Sequence, residues 1–234
     1  MNVLLVFAHP EPLSLNGALK NIAIDELQKV GHSVMVSDLY EMNFKAVADK
    51  NDFLELNNSD KLNYIKEQYF ANKNGTFVEE IKLEQEKIQK ADFILFQFPM
   101  WWSDPPAILK GWFDRVLSYG FSYGPGVYDQ GNLKGKKTML SITTGGDDFS
   151  DYGDFGIKGK MEDLLFNVQH EKLYFTGLDV IEPFIMPSGS DDEKRNEYIS
   201  EYRNRLRTLE TLPVIPFRPL SDYENGQLKT VSNV

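Results

Sequence analysis

The chain has 234 residues, no cysteine and a formal net charge of −10. The missing thiols exclude disulfides, thiolate catalysis and cysteine-ligated zinc or iron–sulfur centres. The acidic balance argues against nucleic-acid binding and against docking on an anionic membrane, both of which need a cationic face.

With 41% hydrophobic and 26% charged residues, the composition is that of a folded globular protein. No apolar stretch approaches the roughly 18 residues of a membrane span. The opening Met1–His9 segment lacks the basic region of a secretory signal, so a cytoplasmic location is expected.

In chain order, Val3 to Ala8 is an unbroken apolar run ending at His9-Pro10, the pattern of a strand buried on both faces. Leu15, Ala18, Leu19, Ile22, Ala23, Leu27 and Val30 then recur every three or four residues. They predict an amphipathic helix with Ser14 as N-cap and Gly31 just past its end. Ser33 to Val36 predict a second strand and Phe93 to Phe98 a third. Ile108, Leu109, Trp112, Phe113, Val116 and Leu117 give a helical stripe. A fourth strand is expected over Thr138 to Thr143, a helix around Met161 to Val168, a fifth strand over Val180 to Ile185, and a last helix through Tyr198, Tyr202 and Leu209.

Alternating helices and short, wholly apolar strands predict an α/β fold with a parallel sheet covered on both faces. Five strands suit the flavodoxin-like order. Residues 1–210 are expected to form that domain and residues 211–234, with Pro213, Pro216 and Pro219, an extended tail. The polar stretch from Asn43 to Gly75 breaks the rhythm, and a connection that long is usually functional or part of an interface.

Ligands of such sheets bind beyond the carboxyl ends of the strands. Strand 1 ends in His9-Pro10-Glu11-Pro12-Leu13-Ser14, leading into a helix N-terminus suited to phosphate. Strand 3 ends in Pro99-Met100-Trp101-Trp102-Ser103, an aromatic wall. Strand 4 ends in Thr143-Thr144-Gly145-Gly146, a turn able to aim N–H groups at ring carbonyls, followed by a loop with Tyr152. Together these describe a flavin site. Singly each has a plainer reading: His9 as a turn filler, Ser14 as a cap, the tryptophans as core, Tyr152 as surface.

Other motifs fail. No Gly-x-Gly-x-x-Gly follows strand 1, and Gly135-Lys136-Lys137-Thr138 precedes a strand where a phosphate loop would precede a helix. Asp147, Asp148, Asp151 and Asp154 lack calcium-loop spacing. His9, His32 and His170 are too scattered for a local metal-ligand motif.

Several segments together resemble the flavin-dependent NAD(P)H:quinone oxidoreductase (DT-diaphorase) family: His9 to Ala18, Ser37 to Phe44, Phe96 to Trp102, Ser141 to Gly146, and above all Pro106-Ala107-Ile108-Leu109-Lys110-Gly111-Trp112-Phe113-Asp114-Arg115-Val116. The resemblance implies two-electron reduction of quinones by NAD(P)H, in ping-pong order, in a homodimer with flavin at the subunit interface. FAD is the expected flavin and FMN the alternative.

Carried over by motif, His9, Ser14, Leu15, Asn16 and Ala18 would hold the pyrophosphate and ribityl chain. Pro99, Met100, Trp101, Trp102 and Ser103 would wall the flavin ring, and Thr143, Thr144, Gly145 and Gly146 would face its pyrimidine edge. Tyr152 matches the family's active-site tyrosine. Tyr123 and Tyr128, with Trp102, would line the acceptor pocket, the two tyrosines reaching it from the partner subunit. Asn63 and Asp114 would also reach the cofactor from there.

This sequence departs from the family at several points. Lys158 stands where a histidine is usual, and is expected to stabilise charge beside Tyr152, Gly145 and Gly146 without relaying a proton. Ser103-Asp104 replaces an aromatic-Gly pair. His170 matches one ligand of the metal site some relatives carry, but Tyr174 occupies the second position, so no metal is expected. Trp112 and Phe113 read as more aromatic surface than one helix needs for its own core, a further pointer to a dimer. An ancillary flavoprotein that regulates a partner is the alternative function.

Overall fold

The computed structural model describes residues 1–229. Its centre is a five-stranded, wholly parallel sheet in the order β2-β1-β3-β4-β5, formed by β1 (Asn2–Phe7), β2 (Ser33–Asp38), β3 (Phe93–Pro99), β4 (Lys137–Thr144) and β5 (Asp179–Pro187). Both faces are apolar because successive side chains alternate across a strand. Val3, Leu5 and Phe7 pack with Leu19, Ala23 and Leu27 of α1 (Leu15–Lys29) and with Tyr202 and Leu206 of α6 (Asp192–Arg207). Leu4, Val6 and Ala8 face the opposite layer, against Ile88 of α3 (Glu79–Lys90), Leu109, Trp112 and Val116 of α4 (Ala107–Val116), and Leu165 and Val168 of α5 (Met161–Val168).

The expected strands and the helices α1, α4, α5 and α6 are present, with no end shifted by more than six residues. Ser14 caps α1 by accepting from the Gly17 N–H, and Gly31 follows its end at φ 87°.

Two helices were not expected. Inside the polar 43–75 stretch lies α2 (Tyr64–Asn74), and α3 follows it. Phe53, Ala71, Phe77 and Ile81 give this region a small core of its own. It is tied to α4 by buried charge. Arg115 reaches Asp52 at 2.9 Å and also pairs with Glu80, Lys45 reaches Asp52 at 2.8 Å, and the Tyr64 hydroxyl donates to Asp52 at 2.6 Å.

The reading of Trp112 and Phe113 as dimer surface is corrected. Trp112 is 0% and Phe113 5% exposed within this chain, and the Trp112 indole N–H donates to Glu84 of α3 at 2.8 Å. Their area is used by α3 and β3, so they carry no argument for a second subunit.

Beyond α6 the chain runs extended along the outer edge of β5, where the Ile215 N–H donates to Val180 O at 2.7 Å. It then forms a small antiparallel pair, β6 (Tyr223–Glu224) with β7 (Gln227–Leu228). Residues 230–234 of the expected tail lie outside the described residues. Among the described residues no helix is long and apolar enough to cross a membrane.

Candidate functional site

The parallel sheet brings the ends of β1, β3 and β4 to one side of the molecule. A buried chain of hydrogen bonds locks them together. Gln97 at the end of β3 donates to Asn16 Oδ1 at 2.7 Å, and Asn16 Nδ2 donates to Thr143 Oγ1 of β4 at 2.7 Å. Both polar ends of the Asn16 side chain are therefore committed within the protein, and what Asn16 offers outward is its backbone N–H at the start of α1. The first-turn N–H groups of a helix have no i−4 partner, and α1 has no acidic residue there to compete with an anion. Gly17 is required for this turn: a Cβ there would sit 1.9 Å from Pro12 O.

The loop leading into α1 is ordered by its own side chains. His9 Nδ1 lies 3.0 Å from the Glu11 N–H and 3.1 Å from Glu11 O, and the Leu13 N–H donates to Glu11 Oε1 at 2.8 Å. The His9 ring lies 6.0 Å from that of Trp101.

Trp101 to Asp104 form a two-residue reverse turn closed by backbone bonds of 3.0 and 3.1 Å. Its central residues, Trp102 (φ 54°) and Ser103 (φ 58°), both occupy the left-handed region that glycine or asparagine normally fills. Trp102 is 100% exposed. A strained backbone holding a bare indole costs stability and gains no packing in this chain, which is how a ring-binding wall reads.

After β4, Thr143 and Thr144 are buried, and among the described residues Thr144 Oγ1 has no hydrogen-bond partner. Gly145 and exposed Gly146 (φ 89°) follow. The next loop closes on itself: the Lys158 N–H donates to Asp151 O at 3.0 Å and the Gly153 N–H to Gly159 O at 2.9 Å. This places the Lys158 ammonium 4.9 Å from the Tyr152 ring centre and 3.2 Å from Asp151. The hydrogen bond to Asp151 raises the lysine above its usual value, so it is cationic at neutral pH.

Tyr123 and Tyr128 are not brought to this site within one chain. Tyr123 lines a separate cleft of ≈ 520 Å³ with Lys110, Asp114 and Phe175. Tyr128 packs on His170, Tyr174 and Phe175, and its hydroxyl donates to Glu171 at 3.3 Å. Burial raises both phenols, and Tyr119 beside Tyr123 and Glu171 beside Tyr128 add to it. Asn63 caps α2 by accepting from the Lys66 N–H, and Asp114 is bound by Lys110 at 2.6 Å. His170 lies stacked on Phe166 at 4.6 Å, bonded to Glu171, and among the described residues no group of three metal-ligating side chains occurs.

Sequence reasoning missed the Asn16–Gln97–Thr143 lock, although a polar Gln97 inside an otherwise apolar strand was its signal. It also missed the 43–75 charge network.

The chain matches the family described as having a flavodoxin-like fold over residues 1–209. It is 44% identical over 211 residues to ribosyldihydronicotinamide dehydrogenase [quinone] of Pongo abelii, covering 88% of this chain and 91% of that one. It is 40% identical over 225 residues to NAD(P)H dehydrogenase [quinone] 1 of Rattus norvegicus, covering 94% and 82%. A solved Klebsiella pneumoniae structure proposed to be a quinone reductase superposes with a TM-score of 0.94 at 40% identity, covering 98% of this chain and 94% of that one.

Proposed function

Because the chain belongs to the flavodoxin-like fold family, with quinone-reducing dehydrogenases among its relatives, we propose that it is a flavin-dependent enzyme reducing quinones with a dihydronicotinamide donor. The observation that carries this is the strained, fully exposed Trp102 standing between a helix N-terminus free of acids and the Gly145-Gly146 turn. The residues present fit a flavin. The α1 N-terminus meets phosphate, Trp101 and Trp102 meet a ring, and the unpartnered Thr144 hydroxyl adjoins N–H groups that can meet ring carbonyls. Bound there, a flavin supplies the two-electron relay between donor and quinone.

The protein's own contribution is placement and charge. His9, Ser14, Leu15 and Ala18 shape the phosphate end. Pro99, Met100 and Ser103 carry the indole wall, and donor and acceptor would stack in turn on the one flavin face that the wall leaves open. That shared face is the basis for ping-pong order. The Gly145 and Gly146 amides, the Tyr152 hydroxyl and the Lys158 ammonium lie where negative charge would develop, and fixed donors there need no rearrangement as it forms.

We take the flavin to be FAD and the working unit to be a homodimer. In it, Tyr123, Tyr128, Asn63 and Asp114 of one copy would complete the site of the other. Exposed Leu13, Trp102, Phe155 and Ile157 ring the strand ends and give such a contact its apolar area.

The deciding experiment is extraction of flavin from the purified protein, with its mass measured, followed by turnover of a small naphthoquinone with NADH, NADPH and ribosyl-dihydronicotinamide in turn. One flavin per chain and parallel double-reciprocal lines are expected. A reconstituted protein that takes up no flavin overturns the reading.

A further inference from the structure

A cleft of ≈ 600 Å³ lies along the outer side of β5, apart from the strand-end site. The chain beyond α6 covers the β5 edge at Val180 and Ile181, while α5 and α6 flank the rest. The volume is that of a site for a molecule of several fused rings. Leu165, Ile185 and Ile215 give it an apolar floor.

Its walls are aromatic and each ring is braced by a neighbouring ring. Phe149 stands edge-on to Tyr152 at 6.1 Å and to Tyr198 at 6.3 Å. Phe166 is stacked on His170 at 4.6 Å, and Phe217 meets the same imidazole edge-on at 5.0 Å. Rings held this way present fixed faces and lose little freedom when a flat ligand slides between them.

The polar groups share one sign. Glu162, Glu182 and Glu201 line the cleft, and among the described residues no lysine or arginine does. Among the described residues Glu162 and Glu182 have no ion-pair partner, while Glu201 has Arg205 at 3.3 Å. Gln169, 5% exposed, is also part of the lining.

We infer that this cleft is a second binding site, selective for a flat aromatic cation. Aromatic faces and unpaired carboxylates both favour positive charge. The same carboxylates, with no counter-charge in the lining, repel a phosphate or a phenolate. The two sites share only Tyr152, so occupancy of the cleft fixes the loop that carries it. The corollary, a change in the rate of flavin reduction, rests on the proposed function; binding to the cleft does not.

The test uses 9-aminoacridine, a fused three-ring cation, titrated calorimetrically into the purified protein. Glu162→Gln with Glu182→Gln changes two exposed side chains, and Phe166→Ala removes one half-exposed wall. Each is expected to weaken binding about tenfold, the effect of some 1.4 kcal/mol, while Trp102→Ala leaves binding in place. A probe that fails to bind the wild-type protein, or one released by Trp102→Ala and indifferent to the cleft variants, overturns the inference. Flavin absorbance read in the same samples separates that failure from failure of the flavin reading.

Discussion

At the scale of single residues, the proposed chemistry rests on Tyr152 and Lys158. A hydrogen bond to a charged group is worth about 1.5–3 kcal/mol, so Tyr152→Phe is expected to slow flavin reduction by roughly 10- to 100-fold in stopped flow. Lys158 faces a different constraint. Asp151 holds its proton on, which makes it a fixed charge and a poor acid. Lys158→Ala should therefore slow the same step by a factor that stays constant between about pH 6 and 9; a rate equal to wild type would make the residue part of a solvated loop. Asn16 behaves oppositely. Its side chain is spent on Thr143 and Gln97, so Asn16→Ala leaves two buried polar groups unmatched. We expect a loss of about 2 kcal/mol in urea unfolding, with flavin content of the folded fraction unchanged. The sequence singled out the strand ends at which the site is proposed, because His9, Trp102 and Gly145-Gly146 follow apolar runs. It could not separate Asn16, turned inward, from its neighbours, because that depends on Gln97, 81 residues away.

At the scale of elements, legibility followed where each segment puts its apolar side chains. Strands β1 and β3 are apolar on both faces and announce themselves. Helices α2 and α3 do not, because polar side chains occupy the stripe they bury. In α2 those are Glu67, which accepts the Asn57 N–H at 2.6 Å, and Gln68, which donates to Asp114 O at 3.0 Å. In α3 they are Glu84, which accepts from Trp112, and Gln85, which donates to Val116 O at 3.0 Å. Such partners come from distant sequence, so local periodicity cannot disclose them. Trp112 was misread for the same reason: its indole needed a buried acceptor that α3 supplies. The Asp52 network holds this region to α4. Burial alone would raise the Asp52 carboxyl, but hydrogen bonds from Lys45, Tyr64 and Arg115 outweigh it and hold the group below its usual value. A carboxyl lowered on folding adds stability above its unfolded value, near pH 4, and loses that contribution as pH falls through the folded one. Asp52→Asn leaves Arg115 with Glu80 as its carboxylate partner among the described residues, and should cost about 3 kcal/mol at neutral pH. Its unfolding midpoint should also fall less steeply than wild type in acid, which urea titrations at stepped pH would measure.

At the scale of the molecule, one chain holds half of the proposed site. Trp102, Gly145, Gly146 and Tyr152 lie at the strand ends, while Tyr123 lines another cleft and Tyr128 sits in the His170 cluster. If two copies pair so that each donates these tyrosines to the other, defects on opposite sides must complement. Tyr152→Phe damages the strand-end half and Tyr128→Ala the donated half. Each variant alone has two damaged sites per dimer. Mixing equal amounts, unfolding and refolding together gives mixed dimers in half of the population, each with one site carrying both changes and one carrying neither. Symmetric pairing therefore predicts recovery to about a quarter of wild-type turnover from two nearly inactive proteins. Dilution should abolish that recovery together with the dimer, read by sedimentation in the same concentration range. A mixture whose rate equals the mean of its components would place the whole site within one chain and sink the two-copy arrangement, while leaving the strand-end chemistry of each copy intact.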